Sequence, residues 1–152
     1  MLSLLQAVQP FLGEGGFAGI RVSTRPDAID EEILDILQQY HVTAIELGVQ
    51  SMNDRVLRLN KRGHTAEDVV KAAALIRQTD IELGVQMMTG LYQSSLQDDR
   101  ETAAKLAALH PATVRIYPTI TIEGTELAEL YRQLEEAQAA VDAAYAATES
   151  SF

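Results

Sequence analysis

Leu2, Leu5, Val8 and Leu12 fall three or four residues apart, which predicts an opening helix over 2–12 that the turn residues Gly13, Gly15 and Gly16 close. The period then drops to two. Ile20, Val22 and Thr24 alternate with Arg21, Ser23 and Arg25, a short strand that Pro26 stops because proline lacks a backbone donor. Asp30 caps the next helix, with Glu31 and Glu32 in its first turn and Ile33, Leu34 and Leu37 as its apolar stripe. A strand over 44–50 follows, then a short helix capped by Asn53 and running through Leu59. Thr65 with Asp68, and Ser95 with Asp98, have capping-box spacing and predict helices through Ile76 and Leu109. Strands are expected over 81–86 and 113–117, the second ending at Pro118. Gly124-Thr125 leads into a long helix with a weak stripe of Leu127, Leu130, Tyr131, Leu134, Val141 and Tyr145.

One hexapeptide occurs twice: Ile-Glu-Leu-Gly-Val-Gln runs from Ile45 to Gln50 and again from Ile81 to Gln86. In both copies Ile, Leu and Val share one strand face, while Glu, Gly and Gln share the other. Val114 and Ile116 likewise oppose Arg115 and Tyr117. Strands joined by helical crossovers are parallel, and a parallel sheet covered on both faces reads as continuous apolar runs. A sheet with one greasy and one polar face implies helices on the greasy side and a curled polar interior. Arg21, Ser23, Arg25, Glu46, Gln50, Glu82, Gln86, Arg115 and Tyr117 would then converge, with Gly48 and Gly84 leaving room for a polar ligand. The competing expectation is an open two-layer α/β sheet whose polar face is simply solvated.

Composition narrows the chemistry. The chain has 152 residues, enough for one domain with a core, and 47% of them are apolar. No cysteine is present, so this chain offers no disulfide, no thiolate metal ligand and no cysteine nucleophile. The net charge is -10, and half of that excess lies beyond residue 125, where six acids face one arginine. Such a field repels phosphate and argues against nucleic-acid binding by this chain. No apolar run is long enough to span a bilayer and no signal peptide is visible, so a cytoplasmic location and no membrane partner are expected.

Several segments occur together in order: Arg21-Val-Ser-Thr-Arg-Pro, Glu46-Leu-Gly-Val-Gln-Ser, Lys61-Arg-Gly-His-Thr, Met87-Met-Thr-Gly-Leu, Arg115-Ile-Tyr-Pro-Thr and Glu123-Gly-Thr-Glu-Leu. Over residues 18–131 this resembles the radical SAM superfamily, in particular the elongator catalytic subunit branch, with oxygen-independent coproporphyrinogen III oxidases as more distant cousins.

The resemblance implies an α/β fold: a partial (β/α) TIM-type barrel of about four parallel strands with helices on one face, followed by a long C-terminal helix. It implies family strands three to six over 1–131 and a helical extension over 132–152. Family members use S-adenosylmethionine and a [4Fe–4S] cluster held by a Cys-x3-Cys-x2-Cys loop. The chain looks like a fragment lacking that loop, so it holds no cluster ligands and no metal, and is expected to be inactive alone. By the same resemblance Gln50 meets the cofactor's ribose or methionyl part and Arg62 its carboxylate. Ser23 and Gln86 stand where the coproporphyrinogen branch carries ribose-binding acids. Arg115 and Tyr117 lie on the substrate side. No catalytic residue is assigned. The loop Met87-Met88-Thr89-Gly90-Leu91 departs from the branch's usual Pro-Gly-Leu-Pro-Gly. His64 is expected to cap or hydrogen-bond near Thr65. Partners would be S-adenosylmethionine, tRNA only through parts not present, and a second copy of the chain across an open sheet edge. A half-barrel module that binds a partner without catalysis is the alternative.

Overall fold

The computed structural model describes the backbone of residues 2–149 and the side chains of residues 2–143. Two compact units are present, Met1–Pro118 and Thr119–Phe152. The expected boundary at 131 concerns family correspondence rather than compactness.

The first unit alternates helix and strand in the predicted order. It runs α1 (Leu2–Val8), a 3₁₀ turn (Gln9–Phe11), β1 (Ile20–Thr24), a second 3₁₀ turn (Pro26–Ala28), α2 (Glu31–Gln39), β2 (Val42–Gln50), α3 (Asp54–Leu59), α4 (Ala66–Ile76), β3 (Glu82–Thr89), α5 (Leu96–Ala108) and β4 (Thr113–Pro118). The helices start where the sequence says they should. Asp30 accepts from the Ile33 N–H at 2.8 Å, and Asn53 accepts from Arg55 and Val56. Thr65 with Asp68 and Ser95 with Asp98 close complete capping boxes. The opening helix stops earlier than expected. Pro10 falls in the 3₁₀ turn after Val8, since a proline ring cannot continue an α-helical ladder.

All four strands are parallel, in the spatial order β1-β2-β3-β4. Ile45, Leu47, Val49 and Val85 are fully buried, and Leu83 and Met87 nearly so. With Leu37, Val69, Ala73, Ile76 and Leu106 they form one core between the sheet and α2, α4 and α5. Burying each large aliphatic side chain contributes roughly 1.5–3 kcal/mol before the entropy of ordering it is charged. The greasy face is uncovered at one place: Val114 and Ile116 of β4 are 48% and 59% exposed. The helices of this unit lean on β2 and β3, so the last strand keeps its apolar row without a lid from them.

The second unit consists of a turn and α6 (Glu126–Glu149). Arg132 is held between Glu129 and Glu136 along the helix. Leu134 and Val141 of the expected stripe are exposed, and Tyr145 lies outside the described side chains.

Candidate functional site

The polar face is concave, and one hydrogen bond measures its curl. Arg21 on β1 donates from Nη1 to Oγ1 of Thr113 on β4 at 3.3 Å. Those strands are three places apart, about 14 Å in a flat sheet with 4.8 Å spacing. Only a sheet bent towards its polar side lets one arginine span that chord. The open two-layer sheet is thereby excluded, and the face becomes the wall of a partial barrel.

Two clusters occupy this wall. The first centres on Glu46, which is 2% exposed although it is charged. Its Oε2 lies 3.1 Å from Arg115 Nε and 3.6 Å from Arg21 Nη1. Neither approach is aligned as a hydrogen bond, and Oε2 has no such partner. Register places Ser23, Glu46, Gly84 and Thr113 in one row, and the Arg21 guanidinium passes over Gly84 to reach Thr113. A Cβ there would stand 2.7 Å from Thr113 Oγ1 and 3.6 Å from Arg21 Nη1. The glycine of the second hexapeptide copy thus leaves the room through which Arg21 reaches Thr113.

The second cluster lies at the carboxyl end of β2. Gln50 has φ +67, in the left-handed region that non-glycine residues rarely adopt. The Ser51 N–H returns to the Val49 carbonyl at 2.8 Å, which closes a tight turn around Gln50. A register shift between Gly48 and Gln50 takes the residue out of the regular ladder. Its side chain turns back over its own strand: a Cβ on Gly48 would lie 3.1 Å from Gln50 Nε2 and 4.0 Å from Arg62 Nη2. Gln50 Oε1 and Arg62 Nε are buried without hydrogen-bond partners. Burial, reinforced by the neighbouring Arg25 cation, lowers the Arg62 pKa from its ordinary value.

The strained turn is pinned from two directions. His64 is 5% exposed and donates from Nε2 to the Val49 carbonyl at 3.0 Å, the same oxygen that Ser51 reaches. His64 therefore serves β2 rather than the Thr65 cap, because its ring points into the core while Asp68 already satisfies that cap. From α5, Thr102 accepts the Met52 N–H at 3.0 Å and sits 3.4 Å from the Ser51 hydroxyl. Asp98 accepts from Asn53 at 2.6 Å, and Lys105 donates to the Met52 carbonyl. Such over-determination is what keeps an unfavourable φ in place.

The structure thus gathers Gln50 with Arg62, and Arg115 with Arg21 and Glu46. Ser23 and Gln86 stand on the same wall by register, beside Glu46 and between Gly48 and Arg115 respectively. Tyr117 is the penultimate residue of β4 and is 42% exposed. Glu46, Arg25 and His64 carry more of the architecture than sequence reasoning assigned to them. The signal for Arg25 was present in Gly63, where a Cβ would lie 3.5 Å from Arg25 Nη1.

Four parallel strands with helices on one face and polar groups on the other have the architecture of a partial (β/α) barrel. Residues 3–107 match the family described as the Radical SAM superfamily, and the chain belongs to that family. It is 35% identical over 117 residues to a tRNA uridine(34) acetyltransferase of Methanocaldococcus infernus, covering 75% of this chain and 22% of that protein. It is 33% identical over 117 residues to human Elongator complex protein 3, covering 75% of this chain and 21% of that one. Among solved structures, Methanocaldococcus infernus Elp3 with an N-terminal deletion superposes with a TM-score of 0.70 at 34% identity, over 76% of this chain and 28% of that one. Escherichia coli coproporphyrinogen III oxidase gives 0.69 at 20% identity, over 79% and 28%, a likeness of fold alone. The chain therefore spans about a fifth of the length of these curated relatives.

The family's cofactors are S-adenosylmethionine and a [4Fe–4S] cluster. These 152 residues contain no cysteine and supply no thiolate to a cluster. No helix among the described residues is long and apolar enough to cross a membrane.

Proposed function

We propose that this chain forms part of the S-adenosylmethionine-binding wall of a radical SAM enzyme acting in tRNA modification. The observation that carries the reading is the pair of buried, unpartnered atoms at the end of β2, Gln50 Oε1 and Arg62 Nε. Buried polar groups are nearly always satisfied, and an acceptor beside a guanidinium suits a ligand with an amine or hydroxyl next to a carboxylate. The methionyl and ribose parts of the cofactor have that chemistry. Gln50 orients the ligand and Arg62 holds its carboxylate. Ser23 and Gln86 contribute weaker polar contacts to the ribose, and Arg115 and Tyr117 face the substrate. When bound, the cofactor supplies the cleavable sulfonium; the residues of this wall only bind and orient it.

Residues 1–131 correspond to family strands three to six in this proposal. The tRNA contact is made by surfaces outside these 152 residues, since the net charge of -10 repels a polyanion, and the protein works in the cytoplasm. Titration calorimetry with S-adenosylhomocysteine tests the assignment. Gln50→Ala is expected to weaken binding about tenfold, and equal heats for the two proteins would reject it.

A second reading rests on the sheet order. β1 and β4 are both edge strands, and an open edge invites pairing with a second copy. A dimeric molar mass by light scattering supports a self-associating half-barrel without catalysis, whereas a monomer at high concentration excludes it.

A further inference from the structure

The Arg21–Glu46–Arg115 cluster carries more positive charge than its only buried acid neutralises, and it does so on the wall a ligand would face. We infer that Arg21 and Arg115 form a binding site for an oxyanion of the substrate, a phosphate or a carboxylate, with Glu46 as the buried post that aims both guanidiniums. The inference rests on that wall being the substrate side. It does not depend on Gln50 or Arg62 holding the cofactor.

The geometry supports it at each point. Arg115 uses only its Nε on Glu46, so the edge formed by its two terminal nitrogens has no protein partner among the described residues. That edge has the fork spacing of a bidentate oxyanion contact. Arg21 commits Nη1 to Thr113 and Glu46, leaving its remaining donors for a ligand. The side chains of Arg21 and Arg115 are 37% and 49% exposed, so both reach the open face while the acid beneath them is sealed. Glu46 Oε2 is buried without an aligned hydrogen bond, so it fixes the arginines by charge and leaves their planes free to turn. Gly48 and Gly84 add no side chain of their own, and the side chains of Gln50 and of Arg21 with Thr113 lie over them.

The other acid of this face does not cancel the surplus. Glu82 lies in the row of Arg21 and Ala44, towards the amino ends of the strands, and is exposed to water. Arg25, which follows β1, is paired with Asp27. In a chain of net charge -10 that local excess is not explained by composition.

The test uses the full chain, inorganic phosphate as one probe and acetate as the other. Nitrogen-detected NMR follows the arginine Nε–H signals during each titration. Phosphate or acetate is expected to shift Arg115 and Arg21 first and saturably. Arg115→Gln should weaken that binding about tenfold, and Arg115→Lys, which keeps the charge but not the fork, about threefold. Arg55→Gln removes an equal charge on α3, where Arg55 pairs with Asp98, and should change it less than about twofold. The stronger of the two probes identifies the substrate group as phosphate or carboxylate. Equal losses for Arg115→Gln and Arg55→Gln, or Arg115 signals that do not move with either probe, would overturn the site. The calorimetry with S-adenosylhomocysteine reads Gln50 and this titration reads Arg115, so failure here and failure of the cofactor assignment are told apart.

Discussion

At the scale of single residues, Gln50 is where local preference is overruled. Nothing in glutamine favours φ +67, and the strain persists because the carbonyl before it is held twice, by Ser51 and by His64. His64 acts through the turn and is a positioning residue. His64→Ala should cost about 1–3 kcal/mol in urea unfolding, because it removes a buried donor and leaves the Val49 carbonyl with one partner fewer. His64→Gln places an amide nitrogen near the lost Nε2 and should recover part of that stability together with S-adenosylhomocysteine affinity. If His64→Ala left affinity intact while stability fell, the ring would serve the core alone. The motif Arg62-Gly63-His64 was visible in the sequence, but the direction of its histidine was not. A side chain two residues before a helix start can face either that helix's cap or the neighbouring strand, and only packing decides.

Among the elements, the helices were the most legible. Every internal helix of the first unit begins at the Asp, Asn, Thr or Ser that the sequence nominated, because an N-cap acts over three residues and needs no tertiary partner. The caps also set an acid limit. Hydrogen bonds from Thr65 hold the Asp68 carboxyl below its usual pKa, and those from the Ser95 backbone and hydroxyl do the same for Asp98. A carboxylate depressed in the folded state contributes stability that is fully present above its unfolded value, near pH 4, and is lost as the pH falls through the lower folded value. Asp68→Asn and Asp98→Asn should therefore be less stable than the parent at pH 7. They should also lose less than the parent between pH 5 and 2 by circular dichroism, and parallel acid limbs for all three proteins would contradict the assignment. Strand ends were harder to read. β2 begins at Val42 rather than Ala44, and β3 runs on to Thr89. A ladder extends as far as its neighbour provides partners, which is a property of the pair. Val114 and Ile116 make the same point: their alternation was legible, whereas their exposure was not.

For the whole molecule, the charge of -10 and the missing cysteines set what this chain can do alone. It belongs to a family defined by a cluster whose usual ligands it does not contain. After iron–sulfur reconstitution and reduction, the 152-residue chain is expected to release no 5′-deoxyadenosine from S-adenosylmethionine, as measured by chromatography. Release above the protein-free control would show that the cluster can be held by other ligands. The fold class and the family were both legible at this scale, through the period-two alternation of the repeated hexapeptide and the ordered segments around it. What the sequence determined by itself was local: caps, the parallel order, and which side chains share a face, since each follows from covalent spacing and backbone geometry. What only the tertiary structure decided was distance across the sheet. Arg21 lies 92 positions from Thr113 along the chain, and the curl that joins them, buries Glu46 between two arginines and strains Gln50 is a collective result of packing that no local pattern encodes.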